Sequence, residues 1–296
     1  MSVLDVRTRL PPLHVPVSLE PSLVALGSMH LAVASSSGAV AFHRCLPEDH
    51  DRVGPEQEYG KVKALVLNDK YAAVLASDGT LTLHEIEPGL SVASPGPNPN
   101  QHANSHTQRR KVFPEGGESP GRGGRSKFSA ANAVTAVALT SHFLVYGTAS
   151  GAVETFFLEQ WTSLAGATMR HSCFINMVVP NPAGTRVVVV DEKGEAYMGN
   201  AVTADLTPFP HFPKAVKTVL WDTEVANVVY AWDGKDMHTY VYAPSTVKGP
   251  SVSKLGPVSI GQSGQITVDP EALPLPSGCT PIRECLRRAC LTCVPA

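Results

Sequence analysis

Short apolar runs alternate with small polar turns along most of the chain, and five of those turns close on a glycine. The passages are HLAVASSSGAVAFH with Gly38, YAAVLASDGTLTLH with Gly79, FLVYGTASGAVETFF with Gly151, RVVVVDEKGEAYM with Gly194 and VVYAWDGKDMHTYVY with Gly234. A glycine after Ser37, Asp78, Ser150 or Lys193 suits a hairpin turn, whose backbone must reach positive φ. Ahead of each passage stands another apolar segment and polar turn: LVALGSM, ALVLNDK, AVALTSH, MVVPNPAGT and TVLWDTE. Each unit therefore contains at least three strands in succession.

The glycines are spaced 41, 72, 43 and 40 residues apart. A period of about 40 to 45 residues belongs to a four-stranded propeller blade. The long interval equals one period plus the excess carried by residues 91–130, which hold 5 Pro and 6 Gly and almost no large apolar side chains. Such a segment buries too little surface to order itself and is expected to be a disordered insert between blades. A β-sandwich with evenly spaced hairpins is the alternative, and the period argues against it. The pattern thus predicts an all-β, WD40-like β-propeller over 15–268 with five recognisable blades, the 91–130 insert within it, and an unrelated or disordered Cys-rich tail over 269–296. SGQITV at 263–268 reads as the remnant of a sixth unit. An incomplete ring leaves sheet faces uncovered, so a poorly soluble or dimeric chain is expected.

The net charge of −2 and a charged fraction of 17% give no global field that would draw the chain to nucleic acid or acidic membranes. The first twenty residues lack the apolar core of a secretory signal, and no stretch approaches a membrane span, so a cytosolic chain without membrane insertion is expected. Of six cysteines, Cys279, Cys285, Cys290 and Cys293 crowd into the last 18 residues, which is no disulfide framework.

Asp191 and Glu192 are adjacent, so in extended chain they point to opposite faces and do not form a facing acid–base pair. They read as turn residues, as do Asp69, Asp78 and Asp233. His30, His84, His142 and His238 recur at or beside hairpins of different units, where a histidine can cap a turn or bond a backbone carbonyl. No phosphate loop or nucleophile elbow occurs. Cys290-x-x-Cys293 has zinc spacing, but Cys279 and Cys285 do not supply the second such pair that structural zinc uses. Arg109-Arg110-Lys111 and Gly121-Arg122-Gly123-Gly124-Arg125 resemble pieces of nucleic-acid-binding tails, yet five scattered cations neutralise few phosphates, and a solvated loop is expected. No catalytic, cofactor-binding or metal-binding residue is assigned; no cofactor and no enzymatic activity are expected.

VPVSLEPSLVALGSMHLAVA (15–34), KYAAVLASDGTLTLHEIE (70–87), ALTSHFLVYGTASGAVETFFLEQW (138–161), NPAGTRVVVVDEKG (181–194) and VLWD (219–222) resemble, in order and spacing, the second propeller of the large WD-repeat and tetratricopeptide-repeat subunit of intraflagellar transport complex A. The similarity runs over about 15–245 and includes the place of the insert. It implies a scaffold in complex A that supports retrograde transport and cilium assembly at the cilium, flagellum and basal body, on the cytoplasmic side. Its implied partners are the other complex A subunits and ciliary membrane-protein cargo. Gly-His and Trp-Asp blade signatures are absent; Trp221-Asp222 and Trp232-Asp233 lie near turns. The first propeller and the helical repeats of the family are not in this sequence, which is expected of a fragment. A propeller adaptor of a vesicle coat or a ubiquitin ligase is the alternative.

Overall fold

A computed structural model describes residues 2–3, 13–46, 49, 51–86, 109–115, 129–164, 166–200, 203–223, 225–260 and 266–268. The chain divides into two compact units, residues 1–141 and 142–296. Among the described residues every element is a β-strand except one 3-10 turn at Ala130–Asn132.

In the first unit, β1 (Ser2–Val3) pairs with β2 (Leu13–His14). Strands β3 (Leu23–Leu26), β4 (His30–Ala34), β5 (Ala39–Arg44) and β6 (Gln57–Glu58) form an antiparallel meander, and β7 (Val62–Leu67), β8 (Tyr71–Ala76), β9 (Leu81–Glu85) and β10 (Arg110–Phe113) form a second. β11 (Val134–Leu139) lies against β7 and β8. The Lys63 ammonium and the Asn68 amide donate to the carbonyls of Thr135 (2.8 Å) and Thr140 (2.7 Å) on either end of that strand.

The central strands are buried on both faces, which explains why they read as unbroken apolar runs rather than alternating ones. In β4, Ala32 and Ala34 face the second sheet and pack with Val40, Phe42, Ala72 and Val74. Leu31 and Val33 turn the other way and are covered by Val15 with Val17 and Leu19. Alanine on the sheet-facing side lets two meanders approach closely, as tight packing of interiors requires.

In the second unit, β12 (Phe143–Thr148) and β13 (Ala152–Phe157) pair, and β14 (Thr162–Ser163) and β15 (Met169–Arg170) each pair with one end of β13. β16 (Ile175–Pro180), β17 (Arg186–Asp191), β18 (Ala196–Asn200) and β19 (Leu206–Pro208) form the next meander. β20 (Thr218–Trp221), β21 (Val228–Trp232), β22 (Asp236–Ala243), β23 (Ser251–Ile260) and β24 (Ile266–Val268) form the last. Val188, Val190, Ala196 and Met198 of one sheet pack on Val229, Ala231, Tyr240 and Tyr242 of the other, with Phe209 and Phe212 between them.

The five glycines lie in the hairpin between the second and third strands of each unit, all at positive φ, from 76° at Gly194 to 105° at Gly234. The carbonyls of three of them also receive the incoming chain: Gly38 from the Tyr59 N–H (3.1 Å), Gly79 from Val134 (2.9 Å) and Gly151 from His171 (2.9 Å). The middle hairpin of one sheet thus clasps the connection that leads to the next sheet.

Two segments depart from the sequence pattern. Arg110–Phe113, inside the stretch expected to be a disordered insert, forms β10 on the edge of the second sheet. Phe113, fully buried, supplies the apolar surface that the Pro- and Gly-rich composition concealed. Of the remainder of 91–130, residues 91–108 and 116–128 lie outside the described residues, as does the tail from 269. Ile266–Val268, within the stretch read as the remnant of a sixth unit, pairs with β23 as an extra strand of the last sheet.

Candidate functional site

The polar side chains of the turns are occupied in building them. Three residues before the turn glycine, Ser35 Oγ accepts the Ala39 N–H (3.1 Å) and Thr148 Oγ1 accepts that of Ala152 (3.0 Å). At the same position Asp191 Oδ1 accepts the N–H groups of Lys193 and Glu195, both at 2.9 Å. Asp78 Oδ1 takes the Thr80 N–H (2.9 Å), and Asp233 Oδ1 takes those of Asp236 and Lys235 (2.8 Å each). Those backbone donors, Asp236 first, with the His238 ring beside them, hold the Asp233 carboxyl down at about 2. Asp69 departs from the expected role. Asn68 makes that turn, accepting from Lys70 (2.9 Å) and Tyr71 (2.7 Å), while Asp69 accepts the Ser28 hydroxyl. Asp191 is buried and its neighbour Glu192 exposed, so the adjacent carboxylates do diverge.

The four histidines are not brought together. His30 is buried at the start of β4, and His84 is buried within β9 rather than at a hairpin. His142 lies 3.4 Å from Glu159, and His238 Nε2 lies 3.2 Å from Asp233 Oδ2.

His84 is strongly perturbed. Its Nε2 meets the Tyr59 hydroxyl, which also donates to Gln57 Oε1 at 2.9 Å, and the Phe42 ring lies beside it. Burial, and then the Arg110 cation stacked over Tyr59, push His84 down from 6.5 to about 3. Because the folded value is depressed, its contribution to stability is complete above 6.5 and declines as pH falls from there towards 3. Between pH 6.5 and 5 this group is expected to remove roughly 1 kcal/mol per pH unit, the slope rising towards about 1.4 as the unfolded ring becomes fully protonated. His84→Gln keeps a polar partner for Tyr59 and should flatten that slope in urea melts; equal slopes for both proteins in this window would overturn the assignment.

The expected solvated cations are paired. Arg109 makes a two-pronged contact with Glu85 (2.9 and 3.0 Å) and donates to the Tyr71 hydroxyl (3.1 Å). It pulls Glu85 below the usual carboxylate range. Arg110 lies over the Tyr59 ring and Lys111 lies 2.7 Å from Glu115. This cluster holds β10 on its sheet and offers little free charge to a phosphate chain. Residues 121–125 lie outside the described residues.

One constellation escaped the sequence reading. His171, Cys173 and Asp191 bring a nitrogen, a sulfur and an oxygen within 4.8 Å of one another. His171 and Cys173 come from the connection ahead of β16, and Asp191 ends β17. His171 Nε2 is hydrogen-bonded to Asp191 Oδ2 (3.1 Å), and its ring rests on Tyr197 with centroids 4.5 Å apart. The exposed Lys193 ammonium reaches the Cys173 sulfur, which raises the Lys193 pKa. The signal in the sequence was His171-Ser172-Cys173 one strand ahead of an aspartate placed three residues before a turn glycine. The zinc-spaced cysteines Cys290 and Cys293 lie outside the described residues.

Comparison with known proteins gives a match of residues 1–268 to the family described as the WDR19 second beta-propeller. WD repeat-containing protein 19 of Homo sapiens is 29% identical over 252 residues, 84% of this chain and 17% of that protein. Its Mus musculus counterpart is 30% identical over 250 residues, 83% of this chain and 16% of that one. The chain therefore spans about a sixth of the length of these relatives. Among solved structures, Kluyveromyces lactis Hsv2 aligns with a TM-score of 0.57 at 9% identity, over 83% of this chain and 76% of its own. A chain of the mitotic checkpoint complex aligns with a TM-score of 0.54 at 15% identity, over 87% and 75%. At such identities these structures establish the all-β fold alone.

Proposed function

Since the chain belongs to the WDR19 second β-propeller family, we propose that it is a non-enzymatic scaffold module of intraflagellar transport complex A. It acts by rigid presentation, contributing to retrograde ciliary transport and cilium assembly through contacts with other complex A subunits and with membrane-protein cargo. The observation that carries this reading is the collinear family match over 1–268. The geometry supports it from the chemical side. One oxygen of each of the Asp78, Asp191 and Asp233 carboxylates is taken by turn N–H groups, and the four histidines are dispersed over separate hairpins and strands. Turns pinned by their own side chains present fixed loop surfaces to a partner, which lowers the ordering cost of docking. Among the described residues no helix is long and apolar enough to cross a membrane.

The test is to immunoprecipitate the native protein from ciliated cells with an antibody against residues 142–161 and identify what accompanies it by mass spectrometry. Co-recovery of complex A subunits is the expected result. Recovery of vesicle-coat or ubiquitin-ligase subunits in their place would overturn this reading in favour of a propeller adaptor elsewhere.

A further inference from the structure

We propose that His171, Cys173 and Asp191 form a binding site for a divalent cation of the zinc class, with three protein ligands and a fourth position taken by water. The donor set is chemically mixed in the way zinc sites are: an imidazole nitrogen, a thiolate sulfur and a carboxylate oxygen. Zinc bonds of about 2.0 to 2.3 Å place neighbouring tetrahedral donors roughly 3.3 to 3.8 Å apart. The three donors already lie within 4.8 Å of one another, and the His171–Asp191 pair is at 3.1 Å. Only side-chain adjustment is needed to surround an ion.

The surrounding groups hold these donors in place before any ion arrives. Asp191 Oδ1 is fixed by the Lys193 and Glu195 N–H groups at 2.9 Å, which leaves Oδ2 directed at His171. The His171 ring is seated on Tyr197. Two main-chain bonds lock the segment that carries His171 and Cys173: His171 N–H to the Gly151 carbonyl (2.9 Å) and Glu192 N–H to the Phe174 carbonyl (3.0 Å). A carboxylate oriented by hydrogen bonds and a braced imidazole are what functional metal sites use behind their ligands. Cys173 is half-buried and the His171 side chain is 12% exposed, so an ion has access from solvent. Coordination displaces the thiol proton of Cys173 to solvent, and the metal takes the place of the His171–Asp191 hydrogen bond, the neutral imidazole binding through Nε2 with its one proton on Nδ1.

The experiment is a Co2+ titration of the full chain in which Cys279, Cys285, Cys290 and Cys293 are replaced by Ser, so that the tail contributes no sulfur. A thiolate-to-cobalt charge-transfer band saturating at one equivalent, and bleached by Zn2+, is expected. The Cys173→Ser substitution should abolish the band, and His171→Gln should weaken cobalt binding at least tenfold. Zn2+ should also raise the melting temperature of the tail-serine chain, and this rise should vanish with His171→Gln; it does not depend on the folding of the cysteine variant. No band in the tail-serine chain, or a band that survives Cys173→Ser and so arises from Cys45, would overturn the proposal.

Discussion

Replacing Gly38 with alanine is expected to destabilise the chain by about 3 kcal/mol or more, while the same change at Gly60 costs only about 1 kcal/mol. Both glycines sit at positive φ, 100° and 65°; alanine fits the left-handed region at 65° at modest cost and is more strained at 100°. They differ in what the new methyl group meets. At Gly38 it would stand 1.8 Å from the Gly60 carbonyl oxygen and 2.4 Å from the carbonyl carbon, whereas at Gly60 nothing lies within 4 Å. A peptide group cannot rotate aside as a flexible side chain does. Moving it displaces the neighbouring Tyr59, whose N–H closes on Gly38, and with it the Tyr59–His84 contact. For a chain of this size each kcal/mol lowers the melting temperature by about 2 to 4 °C. Gly38→Ala should therefore lose at least about 6 °C and Gly60→Ala about 2 to 4 °C. Equal losses would mean that the clash with the Gly60 peptide, and with it the clasp between hairpin and connection, carries no energy.

This clasp also explains what was legible in the sequence. A glycine required for its φ recurs at a fixed place, and at Gly38, Gly79, Gly151 and Gly194 the missing Cβ is required as well, so these four and Gly234 marked the repeat and through it the fold. Gly234 shows the rule from the other side: its φ is 105°, but an added Cβ would meet only the Lys217 side chain, at 3.7 Å. The unbroken runs of β4, β8 and β17 were legible for a similar reason, because strands covered on both faces contain few polar residues. The site was less legible. His171 and Cys173 stand 20 and 18 residues from Asp191, and only the pairing of β16 with β17 closes that distance. A periodic pattern reports which face a residue shares, not which loops meet at the end of a hairpin. Arg109 was misread for the same reason, since Glu85 and Tyr71 reach it only across the sheet.

Phe113 tests how the second sheet keeps its outer strand. β10 pairs with β9 in the register Arg110↔His84 to Phe113↔Leu81, and two attachments compete to explain its position: the buried Phe113 ring and the Arg109–Glu85 ion pair. The Arg109 side chain is 42% exposed, and an ion pair that water reaches contributes roughly 0 to 1 kcal/mol. Removing a fully buried phenylalanine costs about 3 to 5 kcal/mol. Phe113→Ala should therefore lower the melting temperature by roughly 6 to 20 °C, and Glu85→Gln should lower it by only a few degrees. Trypsin gives an independent readout, because Arg109, Arg110 and Lys111 are shielded while the strand is paired. Cleavage after these residues under native conditions should accelerate strongly in Phe113→Ala and little in Glu85→Gln. If the two variants are cleaved at the same rate, charge pairing and not ring burial anchors the strand. Then the apolar content of 110–113 is incidental, and its attachment should weaken with added salt.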